Sequence, residues 1–335
     1  MQREREQWNG ARWTAGDPSG HYESWFCRAN DPGRPLAFWI RYTIFSPAER
    51  PGDALGELWA VAFDGERRSV VAVKEERPVA DCTFAKSELS ARIGEATLDA
   101  EALEGEAACA GHRIGWDLRY TSPAPPLLLL DRSLYGASFP KAKALVGAPF
   151  ASFGGTLRVD DDEWPIDGWI GSQNHNWGEK HTDRYAWGQV AGFDGAPDAF
   201  LEAATAQVKI GPVTTPTLTV MVLRLDGEEL AFNTLGETLR TRGEYDFFQW
   251  RFEGRRGETS VRGTITAGAE DFVGLPYLNP PGGVKTCLNT KLASCAVTVR
   301  RGDAAPVTLY TRSRAAFEIL TDAPDHGVRV LDPHA

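Results

Sequence analysis

The chain lacks most of the local signatures that announce a chemistry. It has no Cys-x-x-Cys pair, which removes zinc ribbons and thioredoxin-type redox motifs. It has no Gly-x-Ser-x-Gly, so GWIGS (Gly168–Ser172) is not a nucleophile elbow, and none of the five cysteines stands in a nucleophile context. Both glycine-rich phosphate cradles, Gly-x-Gly-x-x-Gly and Gly-x-x-x-x-Gly-Lys-[Ser/Thr], are missing, which argues against dinucleotide and P-loop sites. No aliphatic run exceeds four residues, as at Leu127–Leu130, far short of a membrane span. Positive charge is also short. The net charge of −10 disfavours a nucleic-acid surface and docking on an anionic membrane. Methionine is scarce, with two residues in 335, so the apolar bulk rests on aromatics: eleven Trp and sixteen Phe. Cys27, Cys82, Cys109, Cys287 and Cys295 are odd in number and widely spaced, and residues 1–13 hold no apolar signal core. Those features predict reduced thiols in a cytoplasmic protein without a secretory signal.

What is present reads as β-structure. Short runs rich in aromatic and β-branched residues recur between turn signals: FWIRYTIF (Phe38–Phe45), ELWAVAFD (Glu57–Asp64), RSVVAVKEE (Arg68–Glu76) and HRIGWDLRYT (His112–Thr121). In the last, Ile114, Trp116, Leu118 and Tyr120 share one face and Arg113, Asp117 and Arg119 the other. Asp226-Gly227 carries a two-residue hairpin signal, and Glu253–Gly257 reads as a longer glycine-bearing turn. The one candidate helix is KSELSARIGEATLDAEAL (Lys86–Leu103). Strands at this spacing predict an all-β sandwich or barrel. The length favours two units, with a boundary in the Gly-, Pro- and Ser-rich stretch 138–155, hence domains 1–150 and 151–335.

The densest polar chemistry lies in GWIGSQNHNWGEKHTDRYAWGQV (Gly168–Val190), which sets Asn174, His175, Asn176, Glu179, His181, Asp183 and Gln189 among Trp169, Trp177 and Trp187. Polar groups packed among large aromatics must satisfy one another or a ligand, so this stretch is the candidate binding site. The His-x5-His spacing of His175 and His181 is not the i, i+4 zinc pair, and no metal site is expected. Acid–base candidates are Glu23, Lys74, Asp117, Glu179 and Asp183. Glu23, between aromatics in HYESWF, would have a raised pKa if buried alone; the competing reading pairs it with an arginine such as Arg41.

At Asn174–Gly178, NHNWG, the chain resembles the superfamily of carotenoid 1,2-hydratases, AttH-like proteins and tocopherol cyclases, whose hydratase-like branch reads DHNWG. RYAWGQV (Arg184–Val190), HYESWFCRAN, AFWIRYTIFSP and SFPKAKALVGAPFASFGGTLRVDD resemble the same family's strands and interdomain passage. The resemblance implies two consecutive lipocalin-like, calycin-type antiparallel β-barrels that bind an apolar isoprenoid- or polyketide-like molecule. It further implies a cofactor-independent hydration, cyclisation or isomerisation in which an aspartate protonates an alkene. Position 174 is Asn here, and a carboxamide does not deliver that proton. The resemblance and the residue pattern together nominate His175, Asn174, Glu179 and Glu23 for catalysis. They nominate Trp177, Asn176, Trp187, Gln189, Trp39, Arg41, His181 and Asp183 for ligand contact. A non-catalytic lipid or carotenoid binder is the alternative and a purely structural interaction module the third reading; the motif itself also reads as a buried polar plug locking the two units together.

Overall fold

The computed structural model describes residues 2–207, 209–210 and 213–334. A short helix, α1 (Gln2–Asn9), precedes β1 (His21–Asn30), β2 (Leu36–Ser46), β3 (Leu55–Asp64), β4 (Ser69–Pro78), β5 (Cys82–Phe84), β6 (Ser90–Ile93), β7 (Ala96–Asp99), β8 (Ala102–Cys109), β9 (His112–Thr121), β10 (Leu127–Leu128), β11 (Ala142–Val159) and β12 (Asp162–Gly178). These twelve strands form one antiparallel sheet in the order β4-β3-β2-β1-β12-β11-β9-β8-β7-β6-β5, with β10 on β11. The chain continues through β13 (Arg184–Phe193), β14 (Ala196–Gln207), β15 (Lys209–Ile210), β16 (Val213–Thr214), β17 (Leu218–Leu225), β18 (Glu228–Phe232), β19 (Arg242–Asp246), β20 (Gln249–Arg256), β21 (Thr259–Thr266), β22 (Val273–Leu278), β23 (Val284–Arg301) and β24 (Val307–Thr321). Apart from the small β15–β16 pair, these make a second sheet, β18-β17-β14-β13-β24-β23-β21-β20-β19, with β22 on β23.

Each sheet curls around its own core. In the first, Trp25, Phe38, Ile40, Tyr42, Trp116, Leu118, Phe153 and Trp169 from widely separated strands form one buried cluster. In the second, Val190, Leu201, Met221, Trp250, Ile265 and Phe317 do the same. The alternation read from HRIGWDLRYT holds: Ile114, Trp116, Leu118 and Tyr120 are buried, and Arg113, Asp117 and Arg119 are exposed. Asp226 and Gly227 both take positive φ, 55° and 77°, and close the β17–β18 hairpin with Leu225 opposite Glu228. The β20–β21 turn falls slightly later than its sequence signal, between Arg256 and Thr259.

Two expectations need correction. Lys86–Leu103 is not helical. Ala91, Ile93, Ala96 and Leu98 alternate with exposed neighbours on β6 and β7, joined by a turn at Gly94, whose φ is +58°. The helix formers there yield to burial at a period of two. The change of sheet falls between Gly178 and Arg184, not at residue 150. The Gly- and Pro-bearing stretch that reads as a linker is β11, whose register slips at Val146/Ala148, Pro149/Ala151 and Phe153/Gly154. Bulges there bend a long strand without ending it. The HNWG segment therefore belongs to the first sheet and lies on its last strand.

β2 is buried on both faces. Phe38, Ile40 and Tyr42 fill the first core. Ala37 and Trp39 point outward, where with Phe26, Trp59, Val61 and Phe63 they meet Trp187, Leu275, Tyr277, Cys287 and Leu320 of the second unit. This explains the unbroken apolar character of FWIRYTIF: the strand serves two cores at once.

β1 and β12 approach closely where Ala29 faces Gly171. A Cβ on Gly171 would collide with the Arg28 carbonyl oxygen and lie 2.6 Å from the Ala29 Cα. Gly171→Ala is expected to lower stability by about 2–3 kcal/mol, read by urea denaturation, because backbone atoms must shift to accept it. A loss under about 0.5 kcal/mol would show that the strands separate freely.

Candidate functional site

A cavity of about 650 Å³ lies between the outer faces of the two sheets. Tyr22, Phe26, Trp39 and Arg41 line it from β1 and β2, and Asn174 and Asn176 from β12. The second unit supplies His181, Tyr185, Trp187, Glu202, Tyr277 and Glu318, and the segment 129–145 closes one side.

Strand parity divides the sequence motif. Ser172, Asn174 and Asn176 share the outer face of β12, while Gln173, His175 and Trp177 share the other. His175 touches the cavity wall, but its ring belongs to the first unit. It stacks on Trp25 with centroids 4.9 Å apart, Nδ1 meets the Trp8 carbonyl at 2.8 Å, and Nε2 meets Glu23 Oε1 at 2.8 Å. Trp177 lies beside it at 4.6 Å and packs with Trp8 and Leu145.

Glu23 is buried, yet the expected rise in its pKa does not occur. Burial opposes its ionisation, but hydrogen bonds and charge from His175 and His21 hold the pKa down at about 2. Backbone N–H groups of Arg12 and Trp13 also donate to it at 2.8–2.9 Å. Arg41 is not its partner, because adjacent strands place the two on opposite faces. Glu179 is exposed and pairs with Lys141 at 2.5 Å, and Asp183 pairs with Lys180 at 3.3 Å. The structure brings neither Glu179 nor Asp183 to the cavity lining. His181 does reach it, stacked on Tyr22 at 4.0 Å and bonded through Nε2 to the Leu278 carbonyl at 3.1 Å. Burial and the nearby Arg41 push its pKa down to about 3, which leaves the imidazole neutral.

Four residues absent from the sequence candidates form buried polar pairs here: Glu202 and Glu318, which line the cavity, and Arg28 and Lys291 behind them. Gln189 joins Arg28 and Glu202 to the motif. Its Oε1 accepts from Arg28 Nε at 2.7 Å and Ser172 Oγ at 2.6 Å, and its Nε2 donates to Asn174 Oδ1 at 2.8 Å and Glu202 Oε2 at 2.7 Å. Trp187 Nε1 donates to the other Glu202 oxygen at 2.7 Å. Burial raises the Glu202 pKa to about 7 against the opposing pull of those two donors and of Arg28. Glu318 is held by Lys291 at 2.9 Å and Asn289 at 3.0 Å. The available signal was a lone carboxylate inside a small apolar run, Glu202 in AFLEAATA and Glu318 in AAFEIL, where only a paired or functional acid is tolerated. Among the described residues, no group of three His, Cys, Asp or Glu is placed to hold a metal ion, and no helix is long and apolar enough to cross a membrane.

No family model matches the chain. Two uncharacterized proteins from strains of Mycobacterium tuberculosis are each 25% identical over 291 residues, covering 86% of this chain and 82% of their own. Among solved structures, an AttH-like protein from Nitrosomonas europaea aligns with a TM-score of 0.57 at 14% identity, over 94% of this chain and 95% of its own. Kievitone hydratase from Nectria haematococca aligns at 0.51 and 10% identity, over 90% and 89%. CghA, solved with Sch210972, aligns at 0.52 and 12% identity, over 90% and 88%. These likenesses establish the class: an all-β protein built from two consecutive lipocalin-like antiparallel barrels.

Two of the buried carboxyls, Glu23 and Glu202, make the protein's stability depend on pH with opposite signs. Glu23 falls from an ordinary 4.5 to about 2 on folding, so its contribution is present above pH 4.5 and lost as pH drops through 2. Glu202 rises from 4.5 to about 7, so its contribution is present below pH 4.5 and lost as pH climbs through 7. Denaturation midpoints across pH 2–8 are expected to lose their acid-side slope in Glu23→Gln and their slope between pH 4.5 and 7 in Glu202→Gln. An unchanged profile in either variant would remove that carboxyl's assigned environment.

Proposed function

We propose that the cavity between the barrels binds a largely apolar isoprenoid- or polyketide-like molecule, and that Glu202 is the proton-transfer group of a cofactor-independent hydration or cyclisation. The observation that carries this reading is a carboxyl on the cavity wall whose pKa of about 7 keeps both of its forms within reach near neutral pH. Trp187 and Gln189 donate one hydrogen bond to each of its oxygens and fix its orientation.

In this reading the protonated Glu202 gives its proton to an alkene carbon. The resulting cation is captured by water in a hydration or by an internal π bond in a cyclisation. The proton released at that step returns to the Glu202 carboxylate, so the residue ends as it began. Trp39 and Trp187 offer indole faces to the cation. Asn174, which stands where the resembled family has its aspartate, bonds the same Gln189 amide nitrogen as Glu202 does. The acid function thus moves one carboxamide away, to the second barrel. His175 acts here by bracing β12, not by touching substrate. The name of one structural neighbour, a hydratase, agrees with this class of reaction.

The carrier reading keeps one observation of its own. Asn174 has its Oδ1 and Nδ2 both bonded to protein, to Gln189 and Ser172, and needs no ligand. Turnover separates the two. Incubated with a panel of isoprenoid alkenes and polyketide enones, the enzyme should yield a product heavier by one water or an isomer of equal mass. Glu202→Gln should lower that rate by roughly 100-fold or more while binding persists. Native kcat/KM should fall about tenfold per pH unit above pH 7, where the free protein loses its proton donor. Ligands that bind but are never converted would leave the carrier.

A further inference from the structure

Arg41 is a buried cation for which the protein supplies no bonded counter-charge. It is 4% exposed and lines the cavity. Its Nη2 donates to Ser24 Oγ at 2.6 Å. Among the described residues Arg41 forms no ion pair, and its Nε has no hydrogen-bond partner. The Tyr277 ring lies 4.4 Å from its guanidinium carbon and the Trp39 ring 5.9 Å away, which steadies the charge without using its N–H donors. The carboxylates nearest in charge terms are engaged elsewhere, Glu57 by Lys74 at 2.8 Å and Glu318 by Lys291 at 2.9 Å. Burial works against the guanidinium, yet the surrounding Tyr277, Glu57 and Glu318 hold its pKa above the ordinary value, so it stays charged.

Two more unpaired polar atoms belong to residues of the same wall. Trp39 Nε1 is a buried donor without a partner, and Asn176 Oδ1 a buried acceptor without one. Unsatisfied groups of this kind are rare in folded proteins, and three of them belong to residues lining this one cavity. The planar guanidinium of Arg41, with the Trp39 ring 5.9 Å from its central carbon, matches an oxygen anion. Apolar side chains of the lining, Leu129, Leu134, Leu218 and Val220, lead to the exposed Phe139 and Leu235 at the rim.

We infer that the ligand is an amphiphile with one acidic oxygen head, a carboxylate or enolate, seated on Arg41 and Trp39, with its apolar body running toward the Phe139 and Leu235 rim. This rests on the cavity reading above and narrows it from an apolar molecule to an acidic one.

The test compares 11-(dansylamino)undecanoic acid with its methyl ester at pH 8, followed by dansyl fluorescence. The acid is expected to bind the native protein at least roughly tenfold more tightly, as befits one charge-assisted contact in a dry site. Arg41→Met should bring the two affinities within about twofold by weakening the acid alone. Trp39→Phe, which removes only the indole N–H, should reduce the preference by about threefold and guards against a misfolded Arg41 variant. Equal binding of acid and ester by the native protein overturns this inference and leaves the cavity reading standing. Failure of both probes to bind overturns the cavity reading and this inference with it.

Discussion

The Gln189 carboxamide is the joint on which the two barrels and the candidate site depend. It is fully buried, and its oxygen accepts twice and its nitrogen donates twice, so its hydrogen-bonding capacity is used up. The partners fix its orientation. Arg28 can only donate and must meet the oxygen, while the Glu202 oxygen bonded to it must meet the nitrogen. A flipped amide would face the guanidinium with N–H groups. Because Arg28, Ser172 and Asn174 come from the first sheet and Gln189 and Glu202 from the second, this side chain ties the units together, alongside Asn30, which donates to the Lys291 carbonyl. Apolar packing between Trp39, Trp59, Leu275 and Leu320 supplies attraction, but it is non-directional. The polar joint supplies register, and breaking one partner of a buried charged set costs about 3–5 kcal/mol.

Alternation along the strands converts that joint into a site. Since successive residues of β1, β2 and β12 point to opposite sides, each strand contributes one row to the first core and one row to the space between barrels. The pattern HNWG is therefore not a single functional surface. Its His and Trp tighten the first barrel, with Glu23 as the carboxylate that satisfies the imidazole. Its asparagine, Asn176, and the preceding Asn174 face the cavity. A shift of register by one residue would exchange these roles, which places a buried acid–imidazole pair and a set of cavity amides under the same constraint.

Much of this was legible in the sequence. Period-two runs and the Asp226-Gly227 turn report local backbone preference and burial, so the all-β class and the hairpins follow directly. The choice of Gly168–Val190 as the polar centre also followed, because indole and amide groups at that density cannot be buried unpaired. Three things were not legible, each for a physical reason. The β11 bulges carry the same Gly and Pro residues that end strands elsewhere, so a bent strand looked like a linker. The facing of His175 away from Asn174 depends on which side of β12 meets the second barrel, and that is a tertiary fact. Glu202 and Gln189 lie 13 residues apart and Glu202 stands 174 residues from Arg28, so their network is invisible to local pattern.

The charges of the cavity are arranged so that one ligand property would act on both ends of it. Glu318 is neutralised by Lys291 within the protein, whereas Arg41 forms no ion pair among the described residues. Glu202 sits near the midpoint of its titration. An amphiphile with an anionic head would cancel the Arg41 charge on entry. Its apolar body would displace water from the remaining volume. The loss of water disfavours the ionised Glu202 carboxylate by deepening its desolvation. Binding would then raise the pKa of Glu202 above 7 and convert a half-protonated carboxyl into the acid form at neutral pH. The empty site would hold no committed proton donor, and the substrate would supply the free energy that arms it, as differential binding requires.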